Sequence, residues 1–162
     1  MRGLLRRLAP VMAAVTIASG ITLASATTAS AGGWGCSGTE VSGSPYLTHT
    51  TMTGAVLSYV HVFWNSSTGQ NCAVNVKTGS LYGTKTLTDV TIYECAYDFT
   101  GSACGDYPGL PPLTSREDSN AFYYYAGPVS VPGSGHCIRV TADTYTPDGT
   151  DVAFFDSGAF HC

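Results

Sequence analysis

Charged residues are scarce in this sequence of 162 residues, because Lys, Arg, Asp and Glu together make up only 11% of it. Three of the seven basic residues are arginines within the first seven positions. Residues 32–162 therefore carry four basic side chains against 11 acidic ones, a net charge of −7. A negative surface with so few cations repels phosphate backbones. The composition therefore argues against nucleic acid as a partner.

Long hydrophobic runs are absent after residue 31, and the run before it is typical of a secretory signal peptide. The early arginines are followed by an apolar stretch from Leu8 to about Leu23 and by Ala29-Ser30-Ala31, a small-x-small cleavage pattern. Polar residues interrupt this stretch, which is shorter than the roughly 20 apolar residues that a membrane span needs. We expect export, removal of residues 1–31, no membrane association after cleavage, and one domain over residues 32–162.

Closely spaced cysteine pairs, which zinc sites need at gaps of about two to four residues, are also missing. All six cysteines follow the signal segment, and an even number in an exported chain predicts three disulfides. The sequence alone leaves about 15 possible pairings. Cys95–Cys104 is the best supported, because Asp98, Thr100, Gly101 and Ser102 let the chain turn back between the two cysteines. For the other four we favour Cys36–Cys72 and Cys137–Cys162.

Good helix formers are scarce too, whereas Gly, Thr, Ser and Pro recur throughout and strand patterns dominate. Gly54–Trp64 is apolar on both faces, which predicts a central strand covered on two sides. It forms a predicted hairpin with Cys72–Lys77, whose side chains alternate, through the polar turn at 65–71. The other predicted strands are Tyr46–Thr51, Leu87–Ala96, Phe122–Val131 with an interruption near Gly127-Pro128, His136–Thr144 and Asp151–Phe155.

Two connections complete the predicted fold. Gly105–Ser119 is interpreted as an exposed loop, because its prolines donate no ladder hydrogen bonds. Thr146-Pro147-Asp148-Gly149 is interpreted as a turn that proline opens. About seven short strands separated by turns are typical of a small antiparallel β-sandwich or barrel. The predicted fold class is all-β, stapled by disulfides and preceded by the cleaved signal peptide.

Two stretches carry a family resemblance: SSTGQNCAVNV at Ser66–Val76 and YAGPVSVPGSGHCI at Tyr125–Ile138. Together with Cys36 and Cys162, they resemble the spore-associated protein A family of actinomycetes, small exported proteins recovered with spores and aerial hyphae. The middle of the chain, roughly Thr78–Ala121, does not match closely, and it contains Cys95 and Cys104 as an added pair. The residues after GHC also depart from the family pattern. The resemblance implies a location at the spore or hyphal surface and transfers no catalytic residue.

Motifs for hydrolytic catalysis do not assemble in the sequence. The Gly-x-Ser-x-Gly elbow of many hydrolases is missing. Glu117 and Asp118 are adjacent acids, but neighbouring side chains of an extended chain point apart, and solvated surface charge is the simpler interpretation. Asp148 and Asp151 lack the spaced acids and closing glutamate of an EF-hand calcium loop, so a turn explains them better. We predict a protein that is not an enzyme.

The histidines offer only a weak metal site. His61 alternates within an apolar strand, which favours a packed or sheet-surface histidine over a general base. His136 and His161 each precede a cysteine, so a Cys137–Cys162 bond would bring the two imidazoles near each other. Two ligands without a third make a weak site. We predict neither a metal nor a cofactor.

Aromatic side chains are the remaining candidates for binding. In a strand, Tyr123 and Tyr125 would share one face and Phe122 and Tyr124 the other. One pair would pack in the core, so at most two of the tyrosines, together with Trp64, would form an outer patch. Tyrosine is also a favoured strand residue, so structural packing is the competing interpretation. Such rings are typical of surfaces that contact glycans or cell walls.

Three functions remain open at this stage. The leading hypothesis is a secreted, non-enzymatic protein of the spore or aerial-hypha surface with an adhesive or protective role. The first alternative is a carbohydrate- or cell-wall-binding module that uses Tyr123, Tyr125 and Trp64. The second is a protease inhibitor that presents Arg116 on the loop Gly105–Ser119.

Overall fold

The computed structural model describes residues 32–96, 104–105 and 111–162, and these form an all-β domain, as predicted. The predicted signal peptide and the predicted turn between Cys95 and Cys104 lie outside the described residues. A short 3-10 turn, Gly79–Leu81, follows the fourth strand. Within the described residues there are nine strands: β1 (Thr39–Glu40), β2 (Tyr46–Thr50), β3 (Val56–Asn65), β4 (Gln70–Lys77), β5 (Thr86–Glu94), β6 (Thr114–Phe122), β7 (Tyr125–Pro132), β8 (Ile138–Tyr145) and β9 (Val152–Asp156).

The strands form one antiparallel sheet in the order β6-β5-β8-β9-β2-β3-β4-β7, with β1 added beside β3. The first and last strands of this order, β6 and β7, lie against each other and are joined by Tyr123 and Tyr124 alone. The sheet therefore curls into a nearly closed barrel, one of the two architectures that the sequence predicted. Across the seam between β6 and β7, Asp118 Oδ2 accepts a hydrogen bond of 2.7 Å from Gly127 N.

The barrel interior confirms the strand alternation expected from the sequence. Inward side chains from five of the strands, together with Val41, form one fully or nearly buried cluster. Apolar side chains at every second position of a strand are what place such a cluster on one face. The buried members are Val41, Val60, Val62, Ala73, Val90, Ile92, Ala126, Val129, Val131, Ile138, Val140 and Ala142.

The β3–β4 hairpin is buried on both faces, as predicted for β3. Phe63 on β3 packs with Val74 and Val76 of β4 on the outside of the barrel, beneath the segment that begins at residue 32. The opposite, inward face of β4 carries Asn75 and Lys77, which are also fully buried. The alternation of β4 is confirmed, but its polar face lies inside the barrel rather than in solvent.

The upper end of the barrel is defined by the connections 51–55, 78–85, 123–124 and 146–151, and its interior is polar. Thr48 Oγ1 and Ser58 Oγ lie 2.8 Å apart, and Ser58 Oγ lies 2.8 Å from Thr144 Oγ1. Asn75 Nδ2 donates to Thr144 Oγ1 at 3.0 Å. Buried hydroxyls and amides need such partners. These hydrogen bonds hold β2, β3, β4 and β8 together below the upper connections.

Two sequence interpretations are wrong in this region. Ser115, Arg116 and the other residues up to Ser119 belong to strand β6, which pairs with β5 along its whole length, and not to an exposed loop. The predicted strand Phe122–Val131 is two strands, because the chain turns at Tyr123 and Tyr124. Polar residues on an edge strand lack the apolar alternation that reveals a buried one, so pairing with β5 decides the structure here.

The interruption expected near Gly127-Pro128 is confirmed as a register shift between β4 and β7. Gly127 has a φ of +103°, and a Cβ atom there would lie 2.9 Å from the backbone oxygen of Ala73. Only glycine combines this backbone conformation with so close an approach. The shift therefore depends on a single residue type at position 127.

The three disulfides are those favoured from the sequence: Cys36–Cys72, Cys95–Cys104 and Cys137–Cys162. They are typical of an exported protein in an oxidising environment. Cys36–Cys72 ties the first described segment to β4, and Cys137–Cys162 ties the last residue to the start of β8. Across the described ranges, we find no helix with the length and apolar character required to span a membrane.

Candidate functional site

Three exposed tyrosines meet at the upper end of the barrel. Tyr82, Tyr123 and Tyr124 are 55%, 53% and 49% exposed. The ring centroids of Tyr82 and Tyr124 lie 5.0 Å apart, and those of Tyr123 and Tyr124 lie 6.3 Å apart. Lys85 Nζ lies 5.9 Å from the centroid of the Tyr123 ring, within the range of a cation–π contact. We call Tyr82, Tyr123 and Tyr124 the tyrosine cluster.

Two chain segments that are distant in sequence build the tyrosine cluster. Because β4 and β5 are not neighbours in the sheet, the connection 78–85 crosses the upper end of the barrel and buries Leu81 there. Gly83 N donates to Tyr123 O, and Lys77 N donates to Tyr124 O, both at 2.9 Å. The first hydrogen bond fixes the crossing segment to the β6–β7 turn, and the second fixes the end of β4 to this turn, so the three rings are held in place together.

A shallow depression of about 390 Å³ lies beside the tyrosine cluster. Its lining consists of aromatic rings and the backbone of Gly127. Tyr125 at its side is half-buried, because its ring packs against the outer cluster of β3 and β4. A shallow depression lined mainly by tyrosine side chains suits a ligand that has flat apolar faces and hydroxyl groups. The lining residues are Phe122, Tyr123, Tyr124, Tyr125 and Gly127.

The predicted aromatic patch is only partly formed. Tyr123 and Tyr125 do not share a strand face, because the turn at 123–124 separates them. Trp64 lies at the lower end of the barrel, opposite Asn71, where it is half-buried and its ring lies 5.7 Å from that of His161. Trp64 is therefore not part of the exposed aromatic surface around Tyr123, whereas Tyr82 and Tyr124 are.

Sequence reasoning missed Tyr82 because it lies outside every predicted strand. The signal that could have found it is an aromatic residue within GSLYGT, a run of small and hydroxyl residues between two predicted strands. An aromatic side chain in such a connection has no strand face on which to pack. Its contact with Tyr124 depends on strand order, which the sequence does not reveal.

Lys77 supports the tyrosine cluster from inside the barrel, where it is only 2% exposed. Its ammonium donates to Thr84 O at 2.8 Å, to Thr86 Oγ1 at 2.6 Å and to Phe122 O at 2.6 Å. Burial lowers the pKa of this ammonium to about 8. One buried cation thus joins the crossing segment to the end of β6, directly below the exposed rings.

A larger groove of about 560 Å³ lies between the β2–β3 and β8–β9 connections, with Met52, Leu57 and Pro147 in its lining. The carboxylate of Asp148 at its rim accepts hydrogen bonds from Thr146 and Thr150 within the predicted turn, which the structure confirms. These hydrogen bonds lower the pKa of Asp148. The Asp148 carboxylate of this groove is thus engaged in hydrogen bonds within its own turn, whereas the tyrosine cluster presents its rings to solvent.

Each histidine that the sequence singled out has a packing or hydrogen-bonding partner. His61 Nδ1 lies 2.7 Å from Glu40 Oε1, and its ring lies 4.3 Å from that of Trp34, so it is a packed histidine, as favoured. His136 Nδ1 lies 2.5 Å from Glu94 Oε1, a buried carboxylate. The ring of His161 packs against Trp64. Within residues 32–96, 104–105 and 111–162, no group of three or more His, Cys, Asp or Glu side chains could hold a metal.

Arg116 does not offer the exposed loop that the protease-inhibitor hypothesis requires. It lies in the middle of β6, opposite Ile92 of β5, and its Nη1 donates to Ser115 O at 2.8 Å. A reactive loop must present extended backbone to a protease, and this backbone is part of a ladder. The hypothesis therefore loses its candidate residue.

Two carboxylates that the sequence did not single out face each other on the outside of the barrel. Asp89 of β5 and Asp143 of β8 are direct cross-strand partners. Burial, followed by the charge of Asp143, raises the pKa of Asp89 to about 6. Burial also raises the pKa of Asp143. The pair was missed because it depends on which strands are neighbours.

Asp89→Asn should therefore stabilise the protein at neutral pH. The folded-state pKa lies above the unfolded value of about 3.9, so protonation stabilises the fold below about pH 4, and this stability is lost as pH rises towards 6. After discounting for solvent screening of a partly exposed group, we expect a gain of about 1 kcal/mol at pH 7 and almost none at pH 4. Urea unfolding at both pH values measures it.

The Asp143→Asn variant, alone and combined with Asp89→Asn, completes a double-mutant cycle. If the two carboxylates repel each other, Asp143→Asn should stabilise the Asp89→Asn variant less than it stabilises the wild type. Equal effects in both backgrounds, or a loss of stability in Asp89→Asn at pH 7, would contradict the expected repulsion.

The chain was compared with protein-family models, curated proteins and solved structures. No protein-family model, curated protein or solved structure matches the chain. The resemblance to the spore-associated protein A family therefore stays a prediction from the motifs at Ser66–Val76 and Tyr125–Ile138.

Proposed function

We propose that this protein is a secreted, non-enzymatic adhesive module of the spore or aerial-hypha surface, and that it contacts polysaccharide through the tyrosine cluster. The observation that carries the proposal is the meeting of three half-exposed tyrosine rings beside a shallow aromatic depression. The predicted signal peptide and the three disulfides support the extracellular location. The two family motifs support the spore or hyphal surface.

The chemistry of the tyrosine cluster suits a sugar polymer. The C–H face of a pyranose ring packs on an aromatic face, and phenolic hydroxyls exchange hydrogen bonds with sugar hydroxyls. The ammonium of Lys85, beside Tyr123, adds a donor at the rim. The lining presents rings and backbone rather than an acid–base pair, which favours binding over hydrolysis.

The rigidity of the platform also favours binding. One backbone hydrogen bond joins the crossing segment to the β6–β7 turn, and a second joins the end of β4 to this turn. The buried ammonium of Lys77 also joins the crossing segment to the end of β6. Rings that are already held in place lose little freedom when a ligand binds. A polymer that repeats the same unit can engage many copies of the module on one surface, which raises the total adhesion.

The proposal predicts that Tyr82→Ala/Tyr124→Ala weakens retention on an insoluble polysaccharide. If each ring contributes about 1 kcal/mol, the loss of two raises the apparent Kd about thirtyfold. Depletion assays on chitin, cellulose, peptidoglycan and intact spores would measure it. Phe154→Ala is the matched control, because Phe154 is 52% exposed on β9 outside the tyrosine cluster.

Two results would count against the proposal. One is failure of the wild-type protein to be retained on any of these surfaces. The other is equal retention of the wild type and the double variant, with both shown to be folded by thermal unfolding. If Phe154→Ala reduces retention as much as the double variant does, the binding surface lies on the outer face of β9 instead.

A further inference from the structure

Tyr82 and Tyr124 form the closer of the two ring contacts in the tyrosine cluster, at 5.0 Å between centroids. Both phenols are about half exposed, and they belong to segments 42 positions apart in the chain. We propose that this pair is an oxidative cross-linking site, at which a peroxidase using hydrogen peroxide joins the two rings by a carbon–carbon bond. This inference concerns covalent modification and does not rest on polysaccharide binding.

The reaction balances with peroxide as the two-electron oxidant. Each phenol gives up one electron and its hydroxyl proton, and the resulting phenoxyl radicals carry spin at the ring carbons next to the oxygen-bearing carbon. Coupling of two such carbons forms the new bond, and the ring hydrogens at these carbons then move to the two oxygens and restore the phenols. The protein loses two hydrogen atoms in total, and one hydrogen peroxide becomes two waters.

The geometry favours coupling within one chain. Gly83 N donates to Tyr123 O, and Lys77 N donates to Tyr124 O, so the backbone segments that carry both rings are fixed against each other. Reactive groups held at contact distance react as if at a very high concentration. Neighbouring rings thus compete well against rings of other molecules in dilute solution.

The surroundings also let the radicals persist long enough to couple. Half-exposed phenols are within reach of an oxidising enzyme, whereas a buried ring is not. All six cysteines are paired in disulfides, so they supply no thiol that would return a tyrosyl radical to tyrosine. The disulfides also indicate an oxidising compartment, where peroxide-dependent enzymes operate.

The cross-link would act as a fourth covalent staple at the upper end of the barrel. It would join the segment 78–85, which crosses the barrel, to the β6–β7 turn, which closes it. Constraining a long loop reduces the freedom of the unfolded chain, as a disulfide does. The three existing disulfides leave this end of the barrel without such a constraint, since none of their cysteines lies in the upper connections.

The test treats the purified, disulfide-intact protein, in dilute solution, with a peroxidase and hydrogen peroxide. We expect a monomer lighter by about 2 Da, blue dityrosine fluorescence, and a higher Tm. Digestion and mass spectrometry should find the peptides of Tyr82 and Tyr124 joined. Tyr82→Phe and Tyr124→Phe should each lower the yield at least tenfold, because phenylalanine has no phenolic hydrogen to give.

Tyr123→Phe is the matched control, because Tyr123 is as exposed as the other two but its ring lies farther from Tyr124. This variant should keep the yield of the wild type. The proposal is overturned if the product is a cross-linked dimer, if fragment-ion sequencing places the cross-link on Tyr123 instead of Tyr124, or if Tyr82→Phe couples as well as the wild type. Failure of this reaction leaves the polysaccharide assay unaffected, so the two proposals can fail separately.

Discussion

Lys77→Met is expected to lower the free energy of unfolding by about 3 kcal/mol. The ammonium of Lys77 is buried inside the barrel and donates to Thr84 O, Thr86 Oγ1 and Phe122 O. Methionine fills a similar volume but donates nothing, so buried oxygens of the crossing segment, β5 and β6 lose their charge-assisted hydrogen-bond donor. Urea unfolding at pH 7 measures the loss.

The pH dependence of stability distinguishes this role from simple packing. Because burial lowers the folded-state pKa of Lys77 to about 8, below the unfolded value near 10.4, the unfolded chain binds more protons between these values. The stability of the wild type should therefore rise as pH increases from 7 to 9.5. In Lys77→Met this contribution to the rise should disappear.

Lys85→Met is the matched control, since Lys85 is exposed and loses no buried hydrogen bond. It should change stability by less than about 0.5 kcal/mol and keep the rise with pH. A Lys77→Met variant as stable as the wild type, or one with an unchanged rise, would show that the buried ammonium does not hold the crossing segment to the end of β6.

Much of the fold could be predicted from the sequence because its buried strands alternate in the usual way. Val90 and Ile92 of β5, and Ile138 and Val140 of β8, repeat at every second position and face the interior. Strand β6 could not be predicted in this way, because it is an edge strand whose side chains are mostly polar and exposed. Its pairing with β5 is a long-range property that no local pattern records.

The candidate site was predictable only in part, for the same physical reason. Three consecutive tyrosines drew attention to Tyr123, but strand periodicity put the wrong partner, Tyr125, beside it. Tyr82 reaches Tyr124 because the β4–β5 connection crosses the barrel, which follows from strand order. The alternation of Cys72–Lys77 did not indicate which face lies inside, and only barrel closure reveals Lys77 as buried.

Removal of the Cys36–Cys72 disulfide by Cys36→Ala/Cys72→Ala should destabilise the protein by about 4 kcal/mol. The bond closes a loop of 36 positions that contains β1, β2 and β3, so its loss returns much freedom to the unfolded chain. It also fastens the first described segment over Phe63 and Val74. Urea unfolding measures the stability, and hydrogen exchange of β4 should rise where this cover loosens.

Cys95→Ala/Cys104→Ala provides the matched comparison, because this bond closes a loop of only nine positions. Loop-closure entropy grows with the logarithm of loop length, so the shorter loop should contribute about 1 kcal/mol less. The hydrogen exchange of β4 should stay unchanged in this variant, since these cysteines belong to a separate buried cluster with Tyr93. If Cys95→Ala/Cys104→Ala lowers the free energy of unfolding more than Cys36→Ala/Cys72→Ala does, local packing around Tyr93 outweighs loop length. Chain entropy would then not determine which disulfide stabilises the protein more.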